Sequence, residues 1–266
     1  MMRNLHKLKI LWFLTALLAL IASLAGALNP ELYQQVVSKE IMPGVFSQDL
    51  MTILASFIVL FLTLRSREED FIKQAVVLGI LGFFFYGYGI YTIERLYNTL
   101  YILYMAIFSL SFYSIMYSLV NIRKEDLKRI MIPRIVQIVS IAFLLINPLI
   151  FYPLWISQLL PLIMAGDKVE FLYSIYILDL CFIMPAFIIV AVMTARKDNL
   201  GLFLTPALFV MGLLAPLALS EFLKPLFYDL PTDFTGMGLF PTLSTLFLIF
   251  TVAYSWNTWK AKNGSI

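Results

Sequence analysis

Few residues in this chain could do chemistry, and most of those sit in apolar surroundings. Asp49 and Asp179 each open onto long hydrocarbon stretches. A carboxylate close to hydrocarbon is costly and needs a partner, a proton or a ligand. Two such groups near one another resist joint ionisation, so a pair could bind a cation or carry a proton. Asn98 and Tyr104 follow a tyrosine-rich segment and could orient a solute through amide and hydroxyl hydrogen bonds. Glu94, Arg95, Glu221 and Lys224 fall near helix ends and could pair across, or gate, an outer mouth. A plainer role competes with each. Asp49 is first expected to cap a helix N-terminus and favour its dipole. For Asp179, preceded by apolar residues 171–178, a buried structural pair and a functional site stand level.

The remaining chemistry is defined by what the chain lacks. One histidine, His6, and one cysteine, Cys181, cannot supply a zinc site of the usual nitrogen and sulfur ligands, so no metal and no cofactor is expected. No phosphate loop, dinucleotide fingerprint or nucleophile elbow is present. Where an intramembrane aspartyl protease would carry its second aspartate, Gly236, Met237 and Gly238 lead to Leu239. An enzyme would have to work with carboxylates, tyrosines and water, which argues against catalysis.

The elements that hold these groups follow from composition. Of 266 residues, 61% are hydrophobic and 13% charged, against roughly 25% charged in a soluble domain. Too few charges exist to coat a globule, so the class is an all-α integral membrane protein and not a nucleic-acid binder. Runs of about 20 apolar residues, the length that crosses a bilayer, fall at 9–28, 47–65, 73–93, 98–121, 133–151, 171–194, 201–223 and 238–257. Eight transmembrane helices with both termini cytoplasmic place fifteen of the nineteen lysines and arginines inside, leaving Lys39, Arg95, Lys168 and Lys224 outside. That is the positive-inside pattern. The first span also resembles a signal peptide, with Ala25, Gly26 and Ala27 as a cleavage site, although its apolar run exceeds a usual signal core. From Asp49 to Arg65 is about 24 Å of helix and from Asp179 to Arg196 about 25 Å, so both aspartates belong near the outer edge of the membrane.

A shift of 130 residues aligns Asp49 with Asp179, Gly82 with Gly212 and Glu94 with Lys224. Two tandem four-helix repeats are therefore expected, 1–121 and 122–266, related by an axis along the membrane normal. Residues 152–166 fall outside the pattern. They carry Pro153 and Pro161 with several aromatics, and are expected as an interfacial or re-entrant segment on the outer side.

The stretch from Asn98 to Ser111, the opening Asp49-Leu50-Met51-Thr52 and the triplet Leu178-Asp179-Leu180 together resemble an uncharacterised family of prokaryotic polytopic membrane proteins. The resemblance spans roughly the second to sixth helices and carries no function. It strengthens Asp49, Asn98, Tyr104 and Asp179 as candidates. The leading expectation is a multi-pass transport protein of a prokaryotic cytoplasmic (plasma) membrane. It would carry a small solute or ion through an outward-facing acidic vestibule. In it Asp49 and Asp179 bind a cation or proton, Asn98 and Tyr104 orient the solute, and Glu94 with Lys224 gates the mouth. A non-catalytic membrane partner or lipid-binding subunit is the alternative, and a lipid-modifying enzyme the third. The lipid bilayer is the one assured partner; a homo-oligomer or a membrane partner protein is compatible with such a surface.

Overall fold

A computed structural model describes residues 2–39, 41–128, 130, 132–166, 173–219, 238 and 240–263. The described residues are overwhelmingly helical. The long helices are α1 (Leu5–Leu28), α3 (Met42–Arg65), α4 (Phe71–Ile93), α5 (Tyr101–Val120), α7 (Arg134–Ala165), α10 (Asn199–Leu219) and α11 (Phe240–Asn263). A further membrane-length helix, Tyr173–Ala195, is built from α8 (Tyr173–Leu178), a π-helical turn (Asp179–Ile183) and α9 (Met184–Ala195). Short turns α2 (Glu31–Gln34) and α6 (Lys124–Leu127) complete the set.

Seven of these helices are long and apolar enough to cross a membrane. The last, α11, has the length but is diluted by hydroxyl, amide and lysine side chains from Thr251 to Asn263, and falls outside the seven. Helices suit this composition because a backbone in hydrocarbon must satisfy its own hydrogen bonds.

Packing between the helices follows small residues, since apolar side chains gain little by leaving lipid for one another. Along α1, Ala16, Ala19, Ala22, Ser23 and Gly26 are all buried; α1 packs chiefly on α3, where Gly26 comes up against Asp49. α4 also packs on α5, α7 on α9, and α10 on α11, while α4 and α10 meet at the centre. These two are the most enclosed of the membrane-length helices, with 72% of the most apolar stretch of α4 buried and 61% of that of α10. Trp12 is wholly buried and its indole N–H donates to Ser118 Oγ at 3.1 Å, which ties α1 into the bundle.

The basic segments gather at one end. The Arg3 amide donates to Asn121 O at 2.8 Å, and Arg123 pairs with Glu68 at 3.0 Å. Gln74 Nε2 closes the loop before α4 on Arg67 O and Glu68 O, at 2.8 and 3.0 Å. Gln137 Nε2 donates to Thr194 O at 2.6 Å, joining the start of α7 to the end of α9. The N-terminus and the segment after α5 therefore share an end, as four crossings require.

One expectation is corrected here. Residues 152–165 are not a separate proline-broken element but continue α7, which runs 32 residues with Pro148, Pro153 and Pro161 inside it. At 1.5 Å per residue that is about 48 Å. Proline removes an amide donor and strains the preceding turn, and neighbours stabilise this stretch by side-chain contact. Tyr152 donates to Leu180 O at 3.3 Å, and Tyr176 donates to Gln158 Oε1 at 2.9 Å. Trp155 packs edge-on against Tyr176 at 5.4 Å. The segment thus lies along α8 and the π turn. Gly166, at φ 71, ends the helix in the left-handed conformation that glycine adopts without penalty.

Candidate functional site

Asp49 is the eighth residue of α3, two turns past its start at Met42, so it does not cap that helix. The capping role is corrected for a simple reason: the chain enters the helix at Met42 and Pro43, and proline at the first turn lacks only an amide that would be unpaired anyway. Asp49 is instead enclosed, 2% exposed. Its Oδ2 accepts a hydrogen bond from the Tyr33 hydroxyl at 2.8 Å.

Tyr33 belongs to α2, the short turn that follows Pro30. Its own hydroxyl is met by that of Tyr104 at 3.4 Å, and Asn98 Nδ2 donates to the Tyr104 hydroxyl at 3.1 Å. Asn98 is fixed by the backbone: its Oδ1 accepts the Leu100 amide at 3.0 Å and its carbonyl accepts that of Tyr101 at 3.1 Å. A continuous chain, Asn98 to Tyr104 to Tyr33 to Asp49, thus runs from the turn before α5 to the buried carboxylate on α3. Burial, reinforced by Tyr91 and Asp49, pushes the Tyr33 hydroxyl well above its ordinary range and keeps it a proton donor.

The chain is walled by tyrosine rings. Tyr91 contacts Tyr33 edge-on at 6.2 Å and Tyr104 at 5.1 Å, and Tyr88 leans on Tyr104 at 5.8 Å. The hydroxyls of Tyr88 and Tyr91 are anchored on Ala19 O and Val45 O, at 3.1 and 3.3 Å. Glycine makes room: a Cβ on Gly26 would collide with Asp49 Oδ2 and the Tyr33 hydroxyl, and one on Gly87 would collide with Gln48.

Asp179 stands apart from this chain. It opens the π turn between α8 and α9 and is 6% exposed. The Trp155 indole donates to its Oδ2 at 2.8 Å, and the buried Tyr86 hydroxyl reaches the same carboxylate. Tyr86 and Gly87 are neighbours on α4, about 100° apart around the helix, so α4 turns one face to Asp179 and another to Gln48 and α3. The two aspartates are served by different faces of one helix. The structure gives the two aspartates separate surroundings: each carboxylate is enclosed, with its own aromatic donor. A cavity of about 100 Å³ adjoins Asp179, bounded also by Asn147, Trp155 and Phe247.

The remaining candidates are structural or lie elsewhere. Glu94 Oε1 accepts the Ser174 amide at 2.8 Å, so Glu94 caps the start of α8 from across the bundle. Arg95 is exposed and takes the left-handed conformation, φ 58, at the end of α4. Glu221 and Lys224 lie outside the described residues, and with them the expected Glu94–Lys224 gate. Among the described residues no group of three or more His, Cys, Asp or Glu is placed to hold a metal.

Sequence reasoning missed Tyr33, which lies in a connecting segment, and did not assign Tyr86 or Trp155 to an aspartate. An aromatic donor on the segment preceding each aspartate-bearing helix was the available signal. Comparison with protein-family models, curated proteins and solved structures finds no significant match to this chain.

Proposed function

We propose that this chain is an eight-span carrier of a small solute or cation in a prokaryotic cytoplasmic membrane, with both termini inside and two tandem four-helix repeats. The observation that carries the reading is the buried Asp49 at the end of the Asn98–Tyr104–Tyr33 chain. A carboxylate held 2% exposed, with the Tyr33 hydroxyl as its donor, is costly as a bare anion. A bound cation or a proton relieves that cost, and the hydroxyl chain gives either one a polar route through apolar walls.

The repeats draw support from equivalent contacts. An aromatic residue on the segment after the first span, Tyr33, holds Asp49 on the second. Another on the extension of the fifth, Trp155, holds Asp179 on the sixth. The central packing of α4 on α10 joins the third and seventh spans, which the repeat makes equivalent. The gathering of basic segments at one end supports a cytoplasmic assignment for that end.

Thermal unfolding of the purified protein, with sodium, potassium and a panel of small solutes across mildly acidic to mildly basic pH, tests the reading. A ligand that binds the folded state raises the midpoint by mass action. The carrier reading requires a rise with one cation, solute or pH that Asp49→Asn abolishes. Flat responses, with Asp49→Asn merely less stable, would sink it.

A lipid-binding or partner subunit is the second reading. The apolar outer stretch of α7 favours it, where Ile163 and Met164 are 70% and 86% exposed.

A further inference from the structure

Asp179 faces a cavity whose chemistry differs from that around Asp49. Its walls carry Tyr86, Phe151, Trp155, Phe187 and Phe247 beside the carboxylate, and no lysine or arginine among the described residues. A carboxylate in a cavity walled by aromatic rings is the arrangement that attracts an organic ammonium group, through charge and the ring quadrupoles together.

Next to it lies a second, larger hollow of about 280 Å³ between α4 and α5 on one side and the π turn, α9 and α10 on the other. Every described residue lining it is a hydrocarbon, aromatic, glycine or methionine residue. It opens sideways: Phe112, Met116 and Phe182 on its rim are 37%, 43% and 45% exposed. In a membrane-spanning bundle that opening meets the lipid chains.

The two hollows share Ile183 and Met211 in their walls. The π turn joins them as well, with Asp179 at its first residue on the polar cavity, and Phe182 and Ile183 at its end on the apolar one. A π turn widens the helix and turns successive side chains to faces a regular helix would not offer, a device frequent at functional sites. Met211 is unbranched and flexible, a partition that can shift for a chain passing between the hollows.

We propose that these hollows form one site for a lipophilic organic cation, an amphiphile whose ammonium head rests at Asp179 among the aromatic rings while its hydrocarbon chain lies in the side-opening groove. Such a ligand reaches the site from within the bilayer. The assignment needs only the membrane-spanning bundle. It stands whether or not Asp49 binds a cation.

Photolabelling in phosphatidylcholine nanodiscs tests this. The probe is an alkyltrimethylammonium carrying a diazirine in mid-chain, run beside an alkyl sulfate with the same chain and diazirine. The ammonium probe should label groove residues of α5, α9 or α10, with the sulfate weaker by about tenfold, the discrimination that one charge-and-ring contact supplies. Asp179→Asn should bring the ammonium probe down to the sulfate level. Ala186→Phe, which fills the groove, should suppress labelling while leaving Asp179 intact. Asp49→Asn should leave the labelling unchanged, which separates this site from the carrier reading. Equal labelling by both heads, or labelling scattered over lipid-facing surfaces, would overturn the proposal. That comparison uses the unaltered protein, so it decides even where Asp179→Asn fails to fold.

Discussion

The Tyr33 hydroxyl and Asp49 Oδ2 meet at 2.8 Å, although one residue sits in a four-residue turn and the other two turns inside a membrane-length helix. Tyr33 is 2% exposed, and so is Asp49. A connecting segment has been drawn inward to serve a buried carboxylate.

Removing that hydroxyl should therefore be expensive. Tyr33→Phe leaves a buried acceptor without its donor, a loss of about 1–3 kcal/mol, read as a lower unfolding midpoint in detergent. Its effect should not add to that of Asp49→Ala, because both changes remove the same contact. Additive losses would show that the pair is not coupled.

Gly26→Ala should also destabilise, by about 1–3 kcal/mol, the usual range for overpacking a tight site. The new methyl meets Asp49 Oδ2 and the Tyr33 hydroxyl. Gly44→Ala is the control, since nothing lies near its Cβ position. Matching midpoints for the two variants would refute the close approach of α1 to α3.

The Arg123–Glu68 pair, at 3.0 Å, should count for little. Its side chains are 38% and 48% exposed, and exposed ion pairs contribute at most about 1 kcal/mol. Arg123→Ala should leave the unfolding midpoint within about that range, and a larger loss would mark this end of the bundle as a more tightly coupled junction.

Orientation can be read by cysteine labelling in intact cells. With Cys181→Ser as background, Tyr97→Cys lies at an exposed position on the end away from the basic segments. It should react with a membrane-impermeant maleimide. Arg67→Cys, on the basic end, should react only after lysis. The reverse pattern would invert the topology.

Much of the bundle was legible in hydropathy. The spans read from the sequence coincide with helices to within a few residues at most ends, because twenty apolar residues leave few alternatives. Asp49 and Asp179 were legible as unusual, for charge in hydrocarbon is rare. Their surroundings were not. Tyr33 reaches Asp49 through tertiary packing that no local pattern encodes. The prolines at 153 and 161 suggested a break, yet α7 continues because Tyr152, Trp155 and Gln158 dock on the neighbouring helix. The aspartates keep different partners for a rotational reason: Tyr86 and Gly87 look different ways from α4.

The length of α7 has a consequence for the membrane around it. A helix of about 48 Å with one charged residue, Arg134, exceeds a hydrocarbon layer of roughly 30 Å by more than tilting alone usually absorbs. The surplus has to be met by thickened lipid beside α7 or by apolar surface standing proud of the bilayer. Either response makes the protein sensitive to acyl-chain length. It should unfold more readily in short-chain bilayers than in long-chain ones, and in a mixed membrane it should gather the longer lipids about itself.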